Sequence, residues 1–339
     1  RQEIDSSDNL IDYTGYTPRS PLVTLANRRN FYSDDGEDEV FSIGIGRIQN
    51  KDICYLSLWS FLVEEGPDLS FPVTEIVEKA SKKESSKVSS IATLKEFFAQ
   101  CESAKLPLIL DVRENEGGNH GFMEVVWSLF QNPMDSKEVL VSSWANSQGN
   151  LAFHSQAQRT SDSINEEFAL QLEMNLDLLQ TAVARKQSST DWQALMDLGP
   201  GNQVFSGQTL VLVSPNCISG CDAFTRMFKV NGRGVLIGSP ANGTGFGYSR
   251  SGKGETRFRD PFNLFEIRIP NMAFSVALKN HISNKAKSSK LLLGTASLDL
   301  VLFMENNPTT PDIPYEISLQ DLKKDNADFV ELVYQNLKP

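Results

Sequence analysis

The residue in this 339-residue chain whose setting best suits covalent chemistry is Ser219. It follows an apolar run, Leu210 to Ser214, that reads as a buried strand broken by Pro215 and Asn216. After it, Ala223, Phe224, Met227 and Phe228 recur at helical spacing. Ser219 and Gly220 therefore fall at a strand-to-helix junction, where unpaired backbone N–H groups favour negative charge. A serine nucleophile gains most from such a place, because the oxyanion formed after attack needs donors already in position. The competing reading is that Ser219 merely caps the helix. A second junction of the same kind follows the apolar stretch Leu106 to Val112, with the turn Arg113 to Asn119 and a helix from Gly121 to Phe130. Its Gly117 and Gly118 would let bare N–H groups approach a reacting carbonyl. The two units are complementary: one offers a hydroxyl, the other donors.

Serine at its ordinary pKa needs a base, and the base needs orientation. The sequence has three histidines. His120, two residues beyond Gly118, could face the site or could be a surface or capping residue; His154 and His281 lie in polar, loop-like settings. Three histidines in these places rule out a His-x-x-x-His metal site, and no cofactor motif is present. The segment Gly243 to Gly247 lacks the Lys-Ser/Thr of a phosphate loop and reads as a turn beside the site.

The elements that must position these residues alternate strand and helix, which argues for α/β. Strands are expected at Val40–Ile48, Ile53–Trp59, Gly234–Gly238, Phe262–Ile269 and Leu298–Phe303. Helices are expected at Ile91–Ser103, Asn165–Lys186 and Asp325–Leu337, with a short one at Trp192–Leu198. Residues 1–38, with the acidic run Asp34 to Asp38, read as an exposed arm or the end of a processing loop. Pro67 to Ser90 reads as a loop with a short helix. Residues 39–339 are expected to form one domain around the candidate serine, with a helical insertion or lid at about 132–207. Asp111 and Arg113 are expected to pair or to hold the glycine loop, and Trp59, Trp127, Trp144 and Trp192 to anchor the core or lid.

A net charge of −11 argues against nucleic acid or an anionic membrane as partner, and no run of about 18 apolar residues suggests membrane insertion. The chain opens on Arg1 with no signal-like apolar core behind it, so a fragment is expected: a mature form, an artificially trimmed form or one product of processing. Cys54, Cys101, Cys217 and Cys221 form no zinc pattern; Cys217 and Cys221 are expected to pack near the serine turn as small apolar side chains.

Leu108 to Gly118, containing Asp111-Val-Arg-Glu-Asn-Glu-Gly-Gly118, then Val211 to Ser219, then Gly234 to Gly238, resembles the core of C-terminal processing (tail-specific) serine peptidases. That resemblance implies a mixed β-sheet core with strand-turn-helix units, of the crotonase-like kind. The family's usual lysine, 25 residues after the serine, is Thr244 here, so its Ser–Lys dyad is not available. The sequence is more similar to the Ser-His-Glu branch typified by the chlamydial protease-like activity factor. Ile218 to Phe224 resembles that branch's nucleophile turn, with Gly220 in place of its cysteine. Glu305-Asn-Asn-Pro-Thr-Thr-Pro-Asp-Ile313 resembles its glutamate motif, and Asp321 falls on a later matching aspartate. The similarity covers roughly residues 40–130 and 205–337.

The resemblance implies that Glu305 orients or polarises the histidine. It also implies that the histidine lies in an N-terminal fragment of the same precursor, because residues 1–50 have none and the chain begins about where the C-terminal part would. The two fragments would share a large interface over an otherwise bare apolar face. It further implies a secreted or periplasmic setting, a protein or peptide substrate, and a second copy of the chain as a candidate partner. Two other readings remain: a catalytically inactive peptide-binding or scaffold protein on the same fold, and a ligand carrier, which would need an apolar pocket.

Overall fold

The computed structural model describes residues 25–32, 39–61, 90–118, 120–131, 138–159, 166–197, 203–247, 256–259, 266–270, 272–278, 282–287, 291–296, 301–324 and 326–337. Its central element is a seven-stranded sheet. Three strands enter it antiparallel: β1 (Leu25–Tyr32), β2 (Glu39–Ile48) and β3 (Lys51–Leu58). From β3 the sheet runs parallel through β4 (Leu108–Asp111), β7 (Thr209–Val213), β8 (Val235–Gly238) and β16 (Ile313–Pro314). The antiparallel entry follows from the tight turn at Gln49-Asn50; the parallel strands need helical crossovers, which the chain supplies.

Alternation along the strands sends side chains to two cores. Cys54, Leu56, Leu58, Val211 and Val213 face one side, where α1 (Ser90–Ser103), α2 (His120–Ser128) and α5 (Gly220–Asn231) cover them with Leu94, Phe98, Phe122, Phe224 and Phe228. Ile53, Tyr55, Leu210, Leu212 and Ile237 face the other, under Phe329, Val333 and Leu337 at the end of α7 (Ala327–Asn336). Each fully buried Phe or Leu contributes about 1.5–3 kcal/mol. Ahead of α7 lies the short α6 (Leu319–Lys323). Asp321 forms a capping box with Ser318 there: Ser318 N–H and Oγ donate to Asp321 (2.7 and 2.6 Å), and Asp321 N–H returns to Ser318 Oγ (3.2 Å). The bonds from the Ser318 hydroxyl, the Tyr315 hydroxyl and the Ser318 N–H hold the Asp321 carboxyl at about 2, below the usual carboxylate range.

A second sheet stands beside the first. Its strands are β5 (Glu138–Trp144), β6 (Trp192–Asp197), β9 (Phe246–Gly247), β12 (Met272–Leu278), β13 (Ile282–Lys287), β14 (Leu291–Ala296) and β15 (Val301–Leu302), while β10 (Thr256–Arg259) and β11 (Glu266–Ile269) pair with each other. Between β5 and β6 come α3 (Gln148–Arg159) and α4 (Glu166–Ala184). Strands β5 and β6 thus make the segment 138–197 both sheet and helix.

Several expectations differ from what is found. Trp192–Leu198 is not a helix: Trp192–Asp197 is a strand that pairs with both β5 and β14, because buried Trp192, Gln193 and Ala194 meet cross-strand neighbours. Leu25–Tyr32, inside the expected arm, pairs with β2. The strand expected at Leu298–Phe303 is limited to Val301–Leu302 among the described residues. The loop expected at Pro67–Ser90 lies outside the described residues, apart from Ser90, which opens α1, as do residues 1–24 and most of Phe262–Glu266. The expected bare apolar face is not found: helices cover both sides of the described central sheet, and the exposed large apolar side chains among described residues are Val183, Phe246, Phe303 and Leu319.

The cysteines are the plainest correction. All four are paired, Cys54 with Cys101 and Cys217 with Cys221. The first ties β3 to α1 across the core. The second brackets the serine turn, a contact that four-residue spacing alone did not reveal.

Candidate active site

Strands β4 and β7 are neighbours in register, with Asp111 beside Leu212, so the turns that follow them end side by side. The second turn carries Ser219 at φ 57° and ψ −119°, outside the left-handed well that a non-glycine residue enters most readily. Ser219 occupies the N-cap position of α5, but its hydroxyl makes no capping hydrogen bond, so the side chain is not spent on capping the helix. Such a backbone costs about 1–3 kcal/mol and persists only where its surroundings over-determine it. Here they do. Cys217 and Cys221 are joined across the turn, Cys217 N–H donates to Ser214 O (3.0 Å), Ile218 N–H to Asn115 O (3.1 Å) and Cys221 N–H to Ile218 O (3.0 Å).

The first turn is shaped by Asn115. Its Oδ1 accepts Gly117 N–H (2.8 Å) and its Nδ2 donates to Leu58 O (3.0 Å), while Gly117 O accepts Phe61 N–H (2.8 Å). Gly117 has φ +86°, and a Cβ there would stand 2.6 Å from Ile218 O, 2.9 Å from Gly220 N and 2.9 Å from Ser219 Cβ. Only glycine lets the two turns close this far. Gly118 N lies 3.6 Å from where a Cβ of Gly220 would sit. Gly118 and Gly220 thus lie against each other at the head of α5, and among the described residues no protein acceptor is found for either N–H.

Underneath, Asp111 and Arg113 pair with each other. Arg113 Nε and Nη2 reach Asp111 at 2.9 and 2.7 Å, Tyr55 OH donates to Asp111 (2.6 Å), and both charged side chains are buried. The pair stiffens the strand end from which the glycine turn springs.

His120, at the start of α2, lies against this site: its Cδ2 is 3.7 Å from the Cβ position of Gly220, and its ring meets Phe274 edge-on at 4.7 Å. Burial pushes its pKa down to about 4. His154 is elsewhere, buried against Trp144 (4.6 Å), with its pKa likewise lowered to about 4. His281 lies outside the described residues.

Glu305 follows β15. Its Oε2 accepts Gly245 N–H (2.8 Å), so the glycine-rich segment acts as the expected turn beside the site and holds this carboxylate. Phe274 N–H donates to Gly245 O (2.8 Å), which places His120, Phe274, Gly245 and Glu305 in one contiguous chain of contacts. Asn242 N–H donates to Cys217 O (3.0 Å), joining the same segment to the serine turn. The structure therefore draws Ser219, Gly220, Gly117, Gly118, His120 and the Glu305 loop together. Sequence reasoning missed Asn115, although Asn two residues before glycine is a recognisable Asx-turn signal. It also gave no role to Asp222, which lies within the serine-turn motif but whose burial no local pattern showed. Among the described residues no group of three or more His, Cys, Asp or Glu could hold a metal, and no helix is long and apolar enough to cross a membrane.

A serine on a strand–turn–helix junction, beside glycine-built donors on a mixed α/β sheet, is the framework of an α/β serine peptidase. The chain belongs to peptidase family S41, whose model matches residues 52–252, more than half of its length. Among solved structures, it is similar to mature CPAF complexed with lactacystin, with 12% identity, TM-score 0.58, and coverage of 96% of this chain and 60% of that one. It is also similar to mature CPAF alone, with 12% identity, TM-score 0.57, and coverage of 93% and 56%. These likenesses are of fold, and the chain spans about 60% of the length of the first of those structures. Among curated proteins no sequence matches.

Proposed function

We propose that the chain is the serine-bearing part of an endopeptidase that works through an acyl-enzyme. Ser219 Oγ attacks the peptide carbonyl carbon while its proton passes to a histidine. The oxyanion is received by the N–H groups of Gly220 and of Gly118, with Gly117 shaping the turn. The C–N bond then breaks, the histidine's proton goes to the leaving amine, and water releases the acyl group by the same route in reverse. Glu305 orients the histidine. The observation that carries this reading is the uncapped Ser219 held in an unfavourable backbone conformation beside those two N–H groups.

The histidine is assigned to an N-terminal fragment of the same precursor. His154 is buried against Trp144, and His120, though adjacent to the site, has a pKa of about 4, far below the value suited to a base at neutral pH. Its position against Gly220 nevertheless makes it the one candidate for an internal base among described residues. Phe246 and Phe303, exposed in the segments that flank Gly245 and Glu305, suit an apolar contact with substrate or with that fragment. The two disulfides favour an oxidising setting, secreted or periplasmic.

Labelling with a fluorophosphonate probe tests the reading on this chain alone, on the chain with its upstream fragment, and on Ser219→Ala. Labelling that needs the fragment and disappears in Ser219→Ala is expected. Labelling of the lone chain, lost also in His120→Ala, would make His120 the base. No labelling in either state would leave a peptide-binding protein on a peptidase fold.

A further inference from the structure

Asp222 stands three residues after Ser219, in the first turn of α5, and its side chain is fully buried. Among the described residues no cation lies at hydrogen-bond distance from it. Instead its Oδ2 accepts Gly243 N–H (2.7 Å), its Oδ1 accepts Thr309 N–H (3.0 Å), and Thr309 Oγ1 donates to the same oxygen. The two donating segments are those that hold Glu305. Gly243 lies two residues before Gly245, the donor to Glu305, and its own carbonyl accepts Asn306 N–H (2.7 Å). Thr309 lies four residues after Glu305, and its carbonyl accepts Ala241 N–H (3.0 Å).

Further along the same helix face, Arg226 Nη2 donates to Asn307 O (2.8 Å) and Lys229 Nζ to Thr310 O (2.6 Å). A helix surface repeats at three and four residues, so Asp222, Arg226 and Lys229 form one row against residues 307–310. Burial alone would drive the Asp222 carboxyl toward its neutral form, and its pKa is raised accordingly. The three donors offset that cost.

We infer that Asp222 is a positioning residue that fixes the Glu305 carboxylate relative to Ser219, by tying the head of the nucleophile helix to both segments around Glu305. The inference rests on the peptidase reading for its catalytic consequence, but the clamp itself does not. Two serial arms, Ser219–Asp222–Gly243–Gly245–Glu305 and Ser219–Asp222–Thr309–Glu305, are each short and rigid, whereas Glu305 sits in a loop after a two-residue strand. Without the carboxylate, Gly243 and Thr309 N–H groups face a buried site with no acceptor. An asparagine there keeps one acceptor and turns an NH2 toward the other N–H, so Asp222→Asn breaks one arm while conserving size.

Hydrogen–deuterium exchange and steady-state kinetics on Asp222→Asn, Thr309→Val and Thr309→Ser test this in the two-part protein. Amides of residues 241–245 and 304–309 should exchange at least tenfold faster in Asp222→Asn, with α2 and the central strands unchanged. kcat should fall about a hundredfold in Asp222→Asn and about tenfold in Thr309→Val, with KM within about threefold and with Thr309→Ser close to wild type. Unchanged exchange in those segments would overturn the clamp, whatever the activity. Faster exchange with unchanged kcat would overturn the link to Glu305 and leave Asp222 a stabilising residue only. A wild-type protein inert to the probe would count against the peptidase reading, while the exchange result would still decide the clamp.

Discussion

The units β4–turn–α2 and β7–turn–α5 share one architecture and sit side by side, yet they solve opposite problems. In the proposed mechanism the first presents backbone, and it carries no side chains there: Gly117 and Gly118 take φ +86° and +133°, and the Asn115 side-chain amide holds Gly117. The second must present a side chain, so it forces Ser219 into a conformation that a glycine would adopt without strain and holds it with a disulfide. What separates them is where the constraint comes from. The donor turn is held by hydrogen bonds and by the absence of a Cβ. The nucleophile turn adds a covalent link to its hydrogen bonds, which keeps a strained non-glycine residue from relaxing.

The largest expected effect comes from removing what the second turn exists to present. Ser219→Ala should lower kcat by on the order of 10⁴-fold or more with little change in melting temperature, read by peptide hydrolysis and probe labelling. Next, Gly117→Ala attacks the contact between the two turns. A Cβ 2.6 Å from Ile218 O and a positive φ should together cost about 2–4 kcal/mol of stability and about a hundredfold in kcat, measured by denaturant unfolding and kinetics. If Gly117→Ala proves harmless, the two turns are not as closely locked as their geometry implies.

The two disulfides sharpen the comparison because they close loops of very different length, 47 and 4 residues in separation. On loop-closure grounds, removing Cys54–Cys101 should cost about 4 kcal/mol and removing Cys217–Cys221 about 2 kcal/mol. Activity should respond in the reverse order. Cys217→Ala with Cys221→Ala should slow probe labelling of Ser219 about tenfold, while Cys54→Ala with Cys101→Ala should leave the rate of the folded fraction within about twofold. Labelling rates that ignore the Cys217–Cys221 pair would show that hydrogen bonds alone hold the nucleophile turn.

The smallest effect concerns His120 and His154. Both have folded-state pKa values near 4, below the ordinary value of 6.5, so the unfolded chain binds more protons between those limits. Stability is therefore fully present above pH 6.5 and is lost as pH falls toward 4. Between pH 7 and pH 5 each should account for about 1–2 kcal/mol. His154→Leu should flatten that dependence without affecting the site, as chemical denaturation at the two pH values will read. His120→Phe should flatten it equally, and labelling retained in that variant would exclude His120 as the base.

Much of this was legible along the chain because it depends on local period and local turn chemistry. The strands at residues 40–48 and 53–59, the helix at 91–103, the glycine turn and the serine turn each carry their own signal in apolar spacing and in Gly, Pro and Asn placement. The repeated strand–turn–helix pattern, once around Gly117-Gly118 and once around Ser219, made the serine and the two glycines recognisable as partners. Trp192–Asp197 was misread because six residues of mixed character carry too little period to separate helix from strand, and its cross-strand neighbours lie far away in sequence.

What the sequence by itself determined is the chemistry on offer: a serine at a helix head, glycines that can bare their N–H groups, and a shortage of histidine. Only the tertiary structure decided that Ser219 is uncapped, that Cys217 and Cys221 bracket it, that His120 lies against Gly220, and that Asp222 reaches both sides of Glu305. The reason is physical. A turn's conformation is set by neighbours within a few residues, whereas a buried carboxylate or a paired cysteine is defined by groups brought to it from up to 87 positions away, and no local pattern encodes that meeting.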